Sequence, residues 1–158
     1  MGQLIEIVFE GLTPSRQMEI LNELKNTLPN SSQLDTGDSL MGLGDVSEET
    51  LSSLFSGSKS RVLTIDADFW SVQSAKVLSP RINLTKYDGD NYEININFEI
   101  ESVGFENSND FINLLHKWSK HLADKIHIST YFCGLDPAVD EDTRFFTNDK
   151  IGPYRFPE

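Results

Sequence analysis

Between residues 91 and 101 apolar and polar side chains alternate without a break: Tyr92, Ile94, Ile96, Phe98 and Ile100 against Glu93, Asn95, Asn97, Glu99 and Glu101. Successive side chains of a strand point to opposite faces, so this stretch reads as a half-buried antiparallel strand. Residues 81–87 alternate in the same way, with Ile82 and Leu84 set against Arg81, Asn83 and Thr85. Asp88-Gly89 between the two supplies the positive φ angles that a tight hairpin wants. Residues 4–10 read as a strand with Ile5, Ile7 and Phe9 on one face and Glu6, Val8 and Glu10 on the other. Residues 61–70 place Leu63, Ile65, Ala67 and Phe69 opposite Val62, Thr64, Asp66 and Asp68, and 127–133 place Ile128, Thr130 and Phe132 on one face.

Helical spacing appears twice over longer stretches. Thr13-Pro14 opens the first helix with a capping hydroxyl and a proline at the first helical position, Met18, Leu21, Leu24 and Leu28 form its stripe, and Pro29 stops it. Ser108 opens the second, which runs to about Lys125 with Phe111, Leu114, Leu115, Trp118 and Leu122 facing a core. A shorter helix starts at Ser47-Glu48-Glu49, buries Leu51, Leu54 and Phe55, and ends at Gly57. Residues 30–44, rich in Ser, Gly and Asp and without periodicity, read as a loop, and 71–79 as either a strand extension or an irregular connection. The segment 134–158 carries Phe145, Phe146, Ile151, Tyr154 and Phe156, too aromatic for a disordered tail, and is expected to pack over the domain.

The order predicts one α+β domain over residues 1–158, a mostly antiparallel sheet with two main helices on one face. It resembles a ferredoxin-like βαββαβ pattern enlarged between the first helix and the second strand. A sheet of another strand order, again with the helices on one side, is the alternative.

The charge narrows the partners. The net charge of −12 is spread along the chain, with 4 basic and 11 acidic residues in 1–75 and 9 and 14 in 76–158. Such a field repels nucleic acid and anionic membrane and attracts basic partners, and no basic patch with interleaved aromatics appears. No run of about 18 apolar residues exists to span a membrane. Met1-Gly2-Gln3-Leu4 has no basic and apolar leader, and Glu6 stands where acylation of Gly2 would want Ser or Thr. The lone cysteine, Cys133, fits a reducing cytoplasm.

If the apolar faces all meet the helices, the other sheet face displays Asp66, Asp68, Asn95, Asn97, Glu99 and Glu101, with Glu6, Glu10, Asn83 and Glu93. This is either a solvated face or a docking surface for a basic protein, whose acids steer encounter and whose asparagines donate and accept hydrogen bonds. A second acidic cluster, Asp140, Glu141 and Asp142, precedes Phe145 and Phe146; it either caps a short helical turn or sets acids beside aromatic anchors. The acids lack EF-hand spacing, and Asp66 and Asp68, about 7 Å apart on one strand face, are a weak metal signal. His116 and His121 are five residues apart and do not aim at one metal, so they read as surface histidines. Cys133 has no basic neighbour in sequence to lower its pKa and reads as a packed thiol. With no phosphate loop, nucleophile elbow or zinc-type cysteine pair, no catalytic residue, metal or cofactor is expected.

A small, acidic α+β chain without a catalytic motif is similar to the immunity proteins of bacterial toxin systems, including those of contact-dependent growth inhibition. The segment nearest to a signature is Tyr131-Phe132-Cys133-Gly134-Leu135-Asp136-Pro137-Ala138, followed by Asp142-Thr143-Arg144-Phe145-Phe146. The resemblance implies a specific complex with one cognate protein toxin, often a nuclease, whose basic substrate-binding surface meets acidic residues. Binding away from the toxin's active site is equally within the class. Two other readings stay open: a small enzyme with a dispersed site, for which Asp66, Asp68 and His127 would have to meet, and an oligomeric regulatory module.

Overall fold

In a computed structural model that describes residues 3–57 and 60–157, the chain begins with β1 (Leu4–Leu12) and α1 (Pro14–Lys25), then β2 (Gln33–Asp35), β3 (Leu40–Gly42) and α2 (Glu48–Phe55). It continues with β4 (Arg61–Asp66), β5 (Phe69–Val72), β6 (Ala75–Leu78), β7 (Arg81–Lys86), β8 (Tyr92–Glu99), α3 (Ser108–Ile126), β9 (Thr130–Leu135), β10 (Arg144–Thr147) and β11 (Lys150–Ile151). Met1-Gly2, which bears on a leader or acyl group, lies outside the described residues.

One antiparallel sheet of nine strands orders them β11-β10-β9-β1-β8-β7-β4-β2-β3, and β5 and β6 form a separate hairpin. The sheet is wider than a four-stranded βαββαβ sandwich, with strands added on both sides of the central β9-β1-β8-β7 group. In β1 the residues Ile5, Ile7 and Phe9 are fully buried, and they stand opposite Phe98, Ile96 and Ile94 of β8. Gly11, at φ +65°, sits where the β1–β8 register slips between Phe9 and Leu12, a bulge that glycine makes without strain.

The helices cover this apolar face. Thr13 Oγ1 caps α1 by accepting from Arg16 N, and Ser47 caps α2 by accepting from Thr50 N. α1 buries Met18, Ile20, Leu21 and Leu24, and also Gln17, whose amide donates to the carbonyls of Thr85 at 3.2 Å and Glu93 at 3.0 Å. That polar staple ties the helix to the β7–β8 hairpin. α3 is capped by Asn107, one residue earlier than the expected Ser108, and ends on His127 in the left-handed region. Phe111, Leu115 and Leu122 are buried as the stripe predicts, whereas Leu114 and Trp118 are half-buried at its margin. Trp118 meets Phe9 and Trp70 edge-on, at 6.0 and 5.1 Å between ring centroids.

Three segments differ from the sequence reading. Residues 30–44, expected as a loop, pair Gln33–Asp35 with Leu40–Gly42 as a short edge hairpin: three-residue strands are too short to show a period. The strand expected over 61–70 stops at Asp66, and 69–78 fold back as the β5–β6 hairpin, which buries Trp70, Val72 and Val77 and is tied to the end of α1 by Ser71 N to Thr27 O at 2.9 Å. In the segment expected to pack over the domain, β10 and β11 join the sheet edge, and Tyr154 and Phe156 are set against Phe145.

Phe98→Ala is expected to cost about 3–5 kcal/mol of unfolding free energy, as large-to-small changes in a packed core do. Val62→Ala, on the opposite face and 54% exposed, should stay within about 0.5 kcal/mol. Urea titration of both variants checks the assignment of the two faces.

Candidate partner-binding face

The polar face of the sheet is legible from its register. Across neighbouring strands Asp66 faces Arg81, Arg81 faces Asn97, Asn97 faces Glu6, Glu6 faces Gly134, and Gly134 faces Arg144. One row along, Thr64, Asn83, Asn95, Val8 and Phe132 follow in the same order.

The side chains of the β4–β8 part are joined to one another. Thr64 donates to Asn83 Oδ1 at 2.9 Å, and Asn83 and Asn97 both donate to Asn95 Oδ1, at 2.9 and 2.7 Å. Asn95 in turn donates to Glu93 Oε2 at 3.3 Å, which also accepts from the Tyr87 hydroxyl at 3.0 Å. Arg81 pairs with Asp66 at 2.9 Å, an exposed contact of little worth to stability.

The β9 side is covered. After β9 the chain turns through a cis Asp136-Pro137 peptide and lays Ala138 against Val8 and Phe132, a small apolar cluster of its own. Phe132 therefore packs on the outer face, while Tyr131 and Cys133 are buried in the main core and Leu135 packs against it. Glu6 Oε1 accepts from Ala138 N at 3.0 Å, and Arg144, over the Phe132 ring at 3.9 Å, donates to the Ala138 carbonyl at 2.8 Å. Gly134 lies directly beneath the returning chain, where a Cβ would meet Thr143 O at 2.9 Å.

What remains open is a groove of about 810 Å³, lined by the asparagines, by Glu6, Asp66, Glu99 and Asp136, and by the exposed apolar side chains of Leu4 and Leu78. Of the residues expected on this face, Asp66, Asn95, Asn97 and Glu99 line it together. Asp68 does not: β4 has ended, and the residue is exposed at the base of the β5–β6 hairpin. Glu101 does not either, because residues 100–102 wind into a 3-10 turn that breaks the alternation. Asp140, Glu141 and Asp142 form a separate exposed turn in which Asp140 caps the N–H of Asp142, as the capping alternative has it. Leu4, Leu78, Arg81 and Asp136 are among the lining residues that sequence reasoning did not assign to this face, with Ser79, Phe98 and Ser102; Leu4 shares the parity of Glu6 along β1, a signal that was present.

Burial pushes the Glu6 and Glu93 carboxyls above the usual carboxylate value, against the hydrogen bonds they accept; Asp136 and Glu93 add to the rise at Glu6, and Glu10 to that at Glu93. Tyr87 is pushed up to about 12, by burial first and by the Glu93 charge next. Cys133 is fully buried, which drives its thiol pKa well up, and it is a packed side chain. His116 is half-buried, with Nε2 donating to Asn148 O at 2.6 Å and its ring stacked on Phe146, so it is not the plain surface residue expected. Asp66 lines the groove without Asp68 or His127, and among the described residues no group of three or more His, Cys, Asp or Glu is placed to hold a metal.

The model of the PABL017 Cdi1I immunity protein family matches residues 3–151. The chain belongs to that family. No curated protein matches it. The fold of this immunity protein is shared with a chain in the crystal structure of the toxic C-terminal tip of CdiA from Pseudomonas aeruginosa in complex with immune protein, at TM-score 0.78 and 24% identity over 97% of this chain and 99% of that one. As an immunity protein it is an inhibitor by binding and not an enzyme. No helix among the described residues is long and apolar enough to cross a membrane.

Two stability effects follow. Gly134→Ala should cost about 1–3 kcal/mol, as overpacking does, because backbone and not a flexible side chain stands in the way; thermal unfolding reads it. Because the folded Glu93 pKa is raised, its contribution is fully present below the ordinary carboxylate pKa and is lost as pH rises through the folded one. Glu93→Gln, which keeps an acceptor for Tyr87, should therefore be more stable than the parent at neutral pH, with the advantage vanishing towards about pH 4.5; urea titrations across that range check the sign.

Proposed function

We propose that this immunity protein binds and neutralises the toxic C-terminal tip of a CdiA-type toxin in the cytoplasm of the cell that makes both. The observation that carries the reading is the family match over residues 3–151; the likeness of fold to a chain from a CdiA tip–immune protein complex accords with it. The partner is a basic protein, and a nuclease is the class whose phosphate-binding surface an acidic inhibitor would best complement. Blocking is steric and electrostatic: carboxylates of the inhibitor stand where substrate phosphates would lie, and the asparagines fix register. The contact residues assigned are Asp66, Asn95, Asn97 and Glu99 on the sheet face, with Asp68 and Glu101 at its margins. Asp140, Glu141 and Asp142 form a second acidic patch beside it.

Steering supports this choice of partner. A net charge of −12 raises the rate at which a cationic protein is met and weakens as salt screens it. In the test, the toxin tip from the neighbouring reading frame is expressed in a susceptible host alone and with this protein. Growth arrest alone and growth on co-expression are expected, with association slowed by added salt. Arrest in both cases would overturn the reading.

A further inference from the structure

We propose that the groove on the open half of the sheet face is where the toxin docks, and that it receives a lysine- or arginine-bearing segment. The cationic head would lie among Glu6, Glu99 and Asp136, and its aliphatic stem against Leu4 and Leu78. This rests on the reading of the chain as a toxin inhibitor and names the surface and the chemistry of the segment that fills it.

Three features converge on the groove. The face is unpartnered there, whereas on the β9 side the returning chain has already covered it. Its rims carry two large apolar side chains that nothing among the described residues covers, Leu4 at 44% and Leu78 at 51% exposure. An apolar rim beside a charged recess suits a long cationic side chain, which buries its methylenes and keeps its head polar. The third is charge. Of the four lining carboxylates only Asp66 has a cation, Arg81; among the described residues no ion pair involves Glu6, Glu99 or Asp136.

Competing occupants fit less well. A second copy would set these carboxylates against their own images, and nucleic acid would meet the same field with its phosphates. The asparagine network is already fixed by mutual hydrogen bonds, so little is lost in ordering it on binding. Burial already raises Glu6, with Asp136 adding to it, and a cation seated there relieves that cost.

The test pairs Glu99→Lys/Asp136→Lys with a control of equal charge change, Glu19→Lys/Glu106→Lys, on exposed positions away from the groove. Binding to the purified toxin tip is followed by surface plasmon resonance at two salt concentrations, with circular dichroism to confirm that each variant is folded. Reversal in the groove should weaken affinity at least about 30-fold, the scale of hot-spot loss, and flatten the salt dependence of association. The control should change affinity only about two- to threefold, as distant rim charges do. Leu78→Ala, which leaves every charge in place, should also raise the dissociation rate. If the groove variants bind like the parent while the parent protects cells, the groove is not the docking site and the inhibitor reading stands. If the parent neither binds nor protects, that reading fails and takes this one with it. If the groove variants abolish a dimer of the chain and leave toxin binding intact, the occupant is a second copy and the proposal is overturned.

Discussion

The structure depends on the period of two along β1 and β8. Ile5, Ile7 and Phe9 can be buried together only if Glu6 and Glu10 point the other way, and the antiparallel pairing locks that parity to Ile94, Ile96 and Phe98 against Glu93, Asn95 and Asn97. A slip of one residue would carry every apolar side chain to the outer face and bury the acids. The polar face is therefore the unavoidable reverse of the core. What selection had to choose was which polar residues to place there, and carboxylates and asparagines in adjoining rows are not what mere solubility demands.

The choice has a thermodynamic mark. A carboxylate in the middle of a sheet face gives up hydration, and both Glu6 and Glu93 have pKa values raised by burial even though each accepts hydrogen bonds. Lysine or threonine in place of either would avoid gathering like charge. The native state thus carries a local electrostatic cost at the open face, the situation in which an incoming cation gains most. On the docking reading proposed above, stability and recognition pull apart here.

Much of the fold was legible from alternation alone, because β1, β4, β7 and β8 each bury one parity fully and the other less, with Val8 and Thr85 the buried residues on the outer parity. The helix stripes and the caps at Thr13 and Ser47 were legible for the same kind of reason, since each is a local pattern with a local cause. The failures have physical reasons as well. β2 and β3 are too short for a period, and β5–β6 form because Trp70 and Val77 find the core beyond α1, a tertiary fact. Phe132 was assigned to the same face as Ile128, but no local rule announces that Ala138 will cover it on the outer face. The site shared this fate: Asp66, Asn95, Asn97 and Glu99 were readable by parity, while Asp68 and Glu101 were lost where strands ended, and Leu4 and Leu78 matter only once the groove exists.

The asymmetry of the outer face bears on why one half is closed. Sealing the β9 side takes an ordered loop, a glycine at 134 with no room for a side chain, and an arginine spent on main-chain carbonyls. None of this extends over β7 and β8, where side chains of equal polarity are left to solvent. The same loop brings Asp136 to the groove edge and ties its backbone to Leu4, with Asp136 N donating to Leu4 O at 3.0 Å. The cover thus builds one wall of the recess while it closes the neighbouring surface. A solvated face would need no such wall. An inhibitor that must hold a partner in one register does, because a flat acidic sheet attracts basic proteins without distinguishing them, and a walled recess with apolar rims restricts what can enter.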